Sequence, residues 1–365
     1  MKLHLYFAFS FLKMVFFVGA GFSVLMLLIA MIDQARAFEK YDLSGFAVLQ
    51  MTLLTLPKQI YQILPLIILL ATIGLFLKFA RTSELVVARA SGRSALETLL
   101  APVLGALGIG LFALTILSPI TAISDSLYVV KKNQIQYGAA SGIIVDAGGL
   151  KLRDKSAGKT LLIQAQHLNE DATDLSDVLI LVFSEQSVLL ERLEAPEAVL
   201  SNGKWTVYNA QEWVRNTDGI LIQNPTPLAK RTFQSTHKPQ DIKESATKSD
   251  LISFWRMPGF IKAQQHAGLA ADKYIMRFQS ELALPFFLIS IVLIGAAFTM
   301  SPHRGGNVGN RIIIAIIAGF SLYFIRNLSG VLGEDGRLPV LLAAWAPPIA
   351  TLFLAAATIL HLEDG

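Results

Sequence analysis

The sequence predicts an α-helical membrane protein with six transmembrane helices and an inserted antiparallel β domain. Three observations carry this. Six apolar runs, each near the ~20 residues a helix needs to cross a hydrocarbon core, fall into two groups of three. Between the groups lies a polar stretch of roughly 150 residues, enough for one domain with its own core. The composition, 53% hydrophobic and 16% charged with a mean hydropathy of +0.53, is too apolar and too poor in charge for an ordinary soluble domain.

The first run, Met14–Ile32, follows Lys2 and Lys13 and precedes Ala35-Arg36-Ala37, which has the small-x-small form of a cleavage site. It exceeds the roughly 7 to 15 apolar residues of a signal-peptide core, and Asp33 separates it from the site. It is therefore expected to remain as the first membrane helix. Mixed charges follow through Asp42, and the second helix is expected to begin near Pro57, with Pro57 and Pro65 in its first turns or kinking it. Its apolar part is Ile60–Leu77, and the third run is Leu99–Leu117. The last three runs are Leu282–Met300, Ile312–Gly333 and Leu338–Leu360, with Pro285 expected in the first turn of the fourth helix.

The elbow between the second and third runs, Lys78 to Leu96, is the longest polar interruption on the basic side. Thr82 can cap a short helix, Glu84 then lies where the helix dipole favours an anion, and Gly92 is placed to end it. So short a helix is marginal alone, and Leu85, Val86, Val87 and Ala88 in succession suit a second surface. It is either a docking helix or a solvated loop whose Lys78, Arg81, Arg89 and Arg93 snorkel to the interface.

Basic residues fix the threading. Lys2, Lys13, Lys78, Arg81, Arg89, Arg93, Arg304 and Arg311 lie on one side, against Arg36, Lys40 and Arg337 in the opposite short loops. Both termini are then cytoplasmic, and residues 124–272 lie outside. The expected divisions are 1–123 with three helices, 124–272 with the β domain and its connectors, and 273–365 with three more helices. Gly142–Val145, Lys159–Ala165, Asp177–Phe183, Ser187–Leu193 and Gly219–Gln223 carry strand signals at short spacing. Ser201–Gly203 reads as a hairpin turn into Lys204–Val207, with Trp205 and Val207 on one face and Thr206 and Tyr208 on the other. A sandwich or jelly roll is expected, its strand order left open. Lys131, Lys132 and Tyr137 lie on one connector and Asp250–Asp272 forms the other, both expected helical.

Chemistry-bearing motifs are missing. There is no phosphate-binding loop, nucleophile elbow or His-Glu-x-x-His pair, and there are no cysteines. The six histidines are scattered, so no metal site is expected, and a net charge of +4 spread by loop reports orientation rather than a nucleic-acid partner. Any energy source must come from a partner. Arg326 is the one formal charge inside an apolar run, and it either snorkels to the outer interface or receives an anionic ligand.

The paired groups of helices, the elbow Arg-Thr-Ser-Glu-Leu-Val-Val-x-x-Ala-Ser-Gly at 81–92, and Asp33-Gln34 closing the first run resemble the lipopolysaccharide export permeases of the LptF/LptG (YjgP/YjgQ) family. The resemblance covers essentially the whole chain. Asp33-Gln34 with Leu56-Pro57-Lys58 favour its LptG branch. It implies a non-catalytic half-transporter in the inner membrane with a periplasmic jelly-roll-like domain. The implied partners are LptF in a heterodimer, two copies of the ATPase LptB, LptC and the bridge protein LptA, with ATP and magnesium bound by the ATPase and no cofactor in this chain. Lipopolysaccharide would enter between the first helix of one half and the fifth of the other. The segment with Arg81, Thr82, Ser83, Glu84, Leu85, Arg89 and Gly92 would couple to the ATPase, and Arg326, Lys131, Lys132, Asp33 and Gln34 would contact the lipid. The chain departs from relatives at Ala30, where a lysine can occur, and at Arg326, where an acidic residue can. Outside the resemblance, a mechanotransmitting subunit that conducts nothing, or a sensor or assembly scaffold, stays open.

Overall fold

In hydrocarbon every backbone N–H and C=O needs an internal partner, so apolar runs of this length fold as helices. A computed structural model describes residues 2–84, 95–137, 142–146, 149–156, 158–168, 173–184, 186, 188–215, 225–235, 252–266, 271–300 and 308–364. Its helices are α1 (Lys2–Ala37), α2 (Gly45–Arg81), α3 (Ala95–Phe112), α4 (Ser118–Tyr137), α5 (Met257–His266), α6 (Asp272–Thr299), α7 (Val308–Glu334) and α8 (Val340–Asp364). The described residues contain six helical spans long and apolar enough to cross a membrane, α3 and α4 forming one of them.

The junction of α3 and α4 is a π-helical turn, Ala113–Leu117. Pro119, four residues after Thr115, has no N–H to give that carbonyl. The Trp255 indole N–H donates to it instead, at 3.3 Å. One start differs from expectation: the second membrane helix begins at Gly45 rather than near Pro57. The fourth starts at Asp272, at the expected division, but Pro285 lies well past its first turn, so Pro57, Pro65 and Pro285 all lie in helix interiors. The reason in α2 is that residues 45–56 carry no charge and follow Ser44, a good capping type. In α6, Arg277 and Glu281 find partners inside the first unit, as shown below.

The chain divides into two compact units. In the first, Met1–Ala37, Gly45–Thr121 and Ser253–Gly365, the core is built on α6 and α2. Phe287, Leu288 and Ile291 of α6 and Ile68, Leu69 and Phe76 of α2 are all fully buried. Small residues let the helices approach. A Cβ on Gly110 of α3 would lie 2.6 Å from the Cα of Pro285, so only glycine allows this crossing.

The second unit comprises Phe38–Ser44 and Ala122–Ile252. Its seven strands are β1 (Gly142–Asp146), β2 (Gly149–Ser156), β3 (Lys159–Leu168), β4 (Asp174–Phe183), β5 (Leu189–Ser201), β6 (Lys204–Val214) and β7 (Thr226–Gln234). They pair antiparallel in sequence order, a meander that settles the order the sequence left open. The sheet curls until the hydroxyl of Ser235, just after β7, donates to the fully buried Asp154 of β2 at 2.6 Å. The curl encloses Leu152, Ile163, Ile180, Leu193 and Trp205. The turn at Asn202-Gly203 has both φ positive, 51° and 70°, the primed hairpin geometry. As expected, Trp205 and Val207 face the core while Thr206 and Tyr208 do not. Strands β2 and β7 were not anticipated, and Gly219–Gln223 lies outside the described residues. The connectors are helical, Lys131, Lys132 and Tyr137 lying in α4 and α5 occupying part of the return path.

Candidate functional site

The first unit holds a cluster of polar and charged side chains between apolar helices. Two helix prolines lie close to it in the sequence. Pro65 and Pro285 each follow Tyr61 and Glu281 by four residues, so the carbonyls of Tyr61 and Glu281 lose the amide an α-helix would supply. Three consecutive residues of α6 then face three different helices. The amide oxygen of Gln279 accepts from the indole N–H of Trp345 in α8 at 3.1 Å. The carbonyl of Ser280 accepts from Nη2 of Arg326 in α7 at 3.4 Å. The carboxylate of Glu281 accepts from the hydroxyl of Tyr61 in α2.

The cluster also holds two guanidinium groups, Arg277 and Arg326. Arg277, one turn before Glu281, has its Nε 3.8 Å from the Glu281 carboxylate, and both side chains are largely buried. Arg326 is half-buried, with its guanidinium carbon 5.1 Å from the centroid of the Phe287 ring. Tyr61, Glu281 and Tyr323 supply its electrostatic surroundings, and the Tyr323 hydroxyl donates to the carbonyl of Gln62 at 3.3 Å. Arg277 is thus the guanidinium that meets the Glu281 carboxylate, while the hydrogen bond of Arg326 among the described residues goes to a carbonyl. Charge at this depth is costly, so Arg326 marks a place where an anion is favoured.

The Arg326 guanidinium thus lies against α6, at the Ser280 carbonyl and the Phe287 ring. Sequence reasoning missed Tyr61, Arg277 and Glu281: Tyr61 sits unmarked inside the second apolar run, and Arg277 and Glu281 precede the run Leu282–Met300. The available signal was the Arg277–Glu281 spacing of four, which puts both on one helix face beside an apolar run.

The elbow is described only in its first residues. Arg81 ends α2 and is exposed. The Thr82 hydroxyl lies 3.0 Å from the carbonyl of Lys78, and the Thr82 amide donates to that same carbonyl. Thr82 thus closes α2, and the chain turns sharply at Ser83, whose φ is 56°; the segment that Thr82 was expected to cap lies beyond Glu84, outside the described residues. Glu84 has one carboxylate oxygen 2.9 Å from the Thr82 hydroxyl and the other buried, without a hydrogen bond among the described residues. Leu85, Arg89 and Gly92 lie outside the described residues. In α1, Asp33 is exposed, Gln34 is buried and Ala30 is 1% exposed. In α4, Lys131 is exposed and Lys132 half-buried. Among the described residues no group of three or more His, Asp or Glu side chains could hold a metal ion.

Two groups of candidate membrane spans on either side of an antiparallel β domain in the sequence, with charged side chains among the helices, are the make-up of a multi-pass membrane protein. The family model for the lipopolysaccharide export system permease LptF/LptG matches residues 5–361, and the chain belongs to that family. It is similar to the lipopolysaccharide export system permease protein LptG of Haemophilus influenzae, at 21% identity over 91% of this chain and 92% of that protein. It is also similar to the LptG protein of Escherichia coli K12, at 22% identity over 90% of this chain and 89% of that one.

Proposed function

We propose that this chain is the non-catalytic membrane half of an ABC transporter that extracts lipopolysaccharide from the inner membrane and passes it to a periplasmic bridge. In this reading both termini are cytoplasmic and the β domain is periplasmic. The chain pairs with an LptF-type half over an LptB ATPase dimer, which binds ATP and magnesium, and works with LptC and LptA. The segment from Arg81 to Gly92 couples to the ATPase through Glu84, and Arg326 receives a lipid A phosphate, with Lys131, Lys132, Asp33 and Gln34 as further headgroup contacts.

The observation that carries the reading is the exposure of α1 and α7. Hardly any of their apolar spans is covered within the chain, and Phe9, Phe16, Ile317 and Phe324 are open. Such faces need lipid or another helix pair, as a lateral entry between two halves requires. A purely mechanotransmitting subunit needs no lipid beside those faces, and a scaffold needs no ATPase. Affinity purification from native membranes, followed by protein and lipid identification, tests all three. Recovery of a soluble ATPase together with lipopolysaccharide supports the proposal, an ATPase without lipopolysaccharide favours the transmitter, and neither favours the scaffold.

A further inference from the structure

We propose that Tyr61 and Arg277 hold the Glu281 carboxylate away from Arg326, leaving the Arg326 guanidinium open as the binding site for a phosphate-bearing lipid headgroup. This rests on the reading of Arg326 given above and adds the residues that set its availability.

A guanidinium presents five N–H donors in a planar fork, two of which can meet a phosphate side by side. Among the described residues, the hydrogen bond of Arg326 is the long one to the Ser280 carbonyl, which leaves most of the fork unused. The obvious internal partner is Glu281, the residue next to Ser280 and part of the electrostatic surroundings of Arg326. Its carboxylate is already engaged on one oxygen by the Tyr61 hydroxyl and faces Arg277 with the other. Tyr61 comes from α2, Glu281 from α6 and Arg326 from α7, so the arrangement depends on how three helices meet.

Depth fits a headgroup. Glu281 lies nine residues from the start of α6 and Arg326 eight residues from the end of α7, about 12–14 Å along either axis from that end of the helices. A long arginine side chain reaches from there toward the interface. Tyr61 is a positioning residue here. If α2 shifts and the Tyr61 contact breaks, the freed carboxylate takes Arg326 and the phosphate loses its partner, so the same three side chains provide a hold state and a release state.

The test uses the full chain purified with its native partners and reconstituted in phosphatidylethanolamine nanodiscs. Retention of bis-phosphorylated lipopolysaccharide is measured for wild type, Tyr61→Phe, Glu281→Gln, the double variant and Arg326→Ala. Tyr61→Phe is expected to lower retention about fivefold, equivalent to ~1 kcal/mol, and the double variant to restore it, because a neutral amide no longer competes for Arg326. A merely structural role for Tyr61 would give no rescue. Lipid A stripped of its phosphates should be insensitive to Tyr61→Phe. Wild-type retention in Tyr61→Phe, or a double variant that stays low, overturns the inference while a loss in Arg326→Ala leaves the underlying reading standing. Wild-type retention in Arg326→Ala removes both. Displacement of lipopolysaccharide by excess phosphatidylglycerol would assign the site to ordinary phospholipid and overturn its role with the glycolipid.

Discussion

Gly110→Ala adds one methyl group where α3 crosses α6, and the structure gives its cost. The new carbon would lie 2.6 Å from the Cα and 2.9 Å from the Cβ of Pro285. Carbon atoms rest at about 3.5–4.0 Å, so the helices must part by about 1 Å. The obstacle is backbone and a closed ring, so no rotamer change relieves it. Overpacking of this kind costs ~1–3 kcal/mol. Alanine returns ~1 kcal/mol through its helix propensity. Gly108→Ala on the same helix isolates the packing term, because a Cβ there meets nothing within 4 Å. The two variants should therefore differ by about 1–3 kcal/mol, with Gly110→Ala the less stable. Unfolding of the full chain in mixed micelles with rising SDS, followed by tryptophan fluorescence, measures the difference. A Gly110→Ala variant as stable as Gly108→Ala would refute the close crossing at Pro285.

Glu84→Ala should reduce ATPase association and export while leaving the chain inserted. Normal copurification of the ATPase with normal export would count against the coupling role. Trp205→Ala removes the largest fully buried side chain of the β domain and should cost ~3–5 kcal/mol, opening β5 and β6 to limited proteolysis in the intact protein. Unchanged protease resistance would show that the strand core does not depend on it. A cysteine placed at the exposed Ser201 should react with an impermeant maleimide in spheroplasts and one at Ser91 should not, a pattern whose reversal would invert the topology.

The apolar runs were legible because a span of hydrocarbon leaves little choice but a helix. The part that Arg277 and Glu281 play in α6 was not, because both precede the apolar run Leu282–Met300. They belong to the helix because Tyr61, more than two hundred residues earlier, engages Glu281, and no local pattern carries that. The β6 hairpin was legible from Asn202-Gly203 and the alternation at Trp205 and Val207. In β2 only Leu150 and Leu152 mark the inward face before the buried Asp154, whose place depends on Ser235, eighty-one residues away. The last strand, β7, carries Pro227, Lys230 and Arg231 and pairs on one side only, so it shows the charges and proline of a sheet edge rather than a strand signature. Of the site, Arg326 stood out as a charge in an apolar run, but the partners that orient it come from α2 and α6 and became visible only in three dimensions.

Photo-crosslinking tests the role in lipid extraction most directly. A photoreactive residue would replace Phe16 of α1 or Phe324 of α7, which are 71% and 65% exposed, with the fully buried Ile68 of α2 as control. In intact cells, lipopolysaccharide adducts are expected at Phe16 and Phe324 and absent at Ile68. Adducts with phospholipid or protein alone, and none with lipopolysaccharide at either exposed position, would contradict lipid entry along these helices.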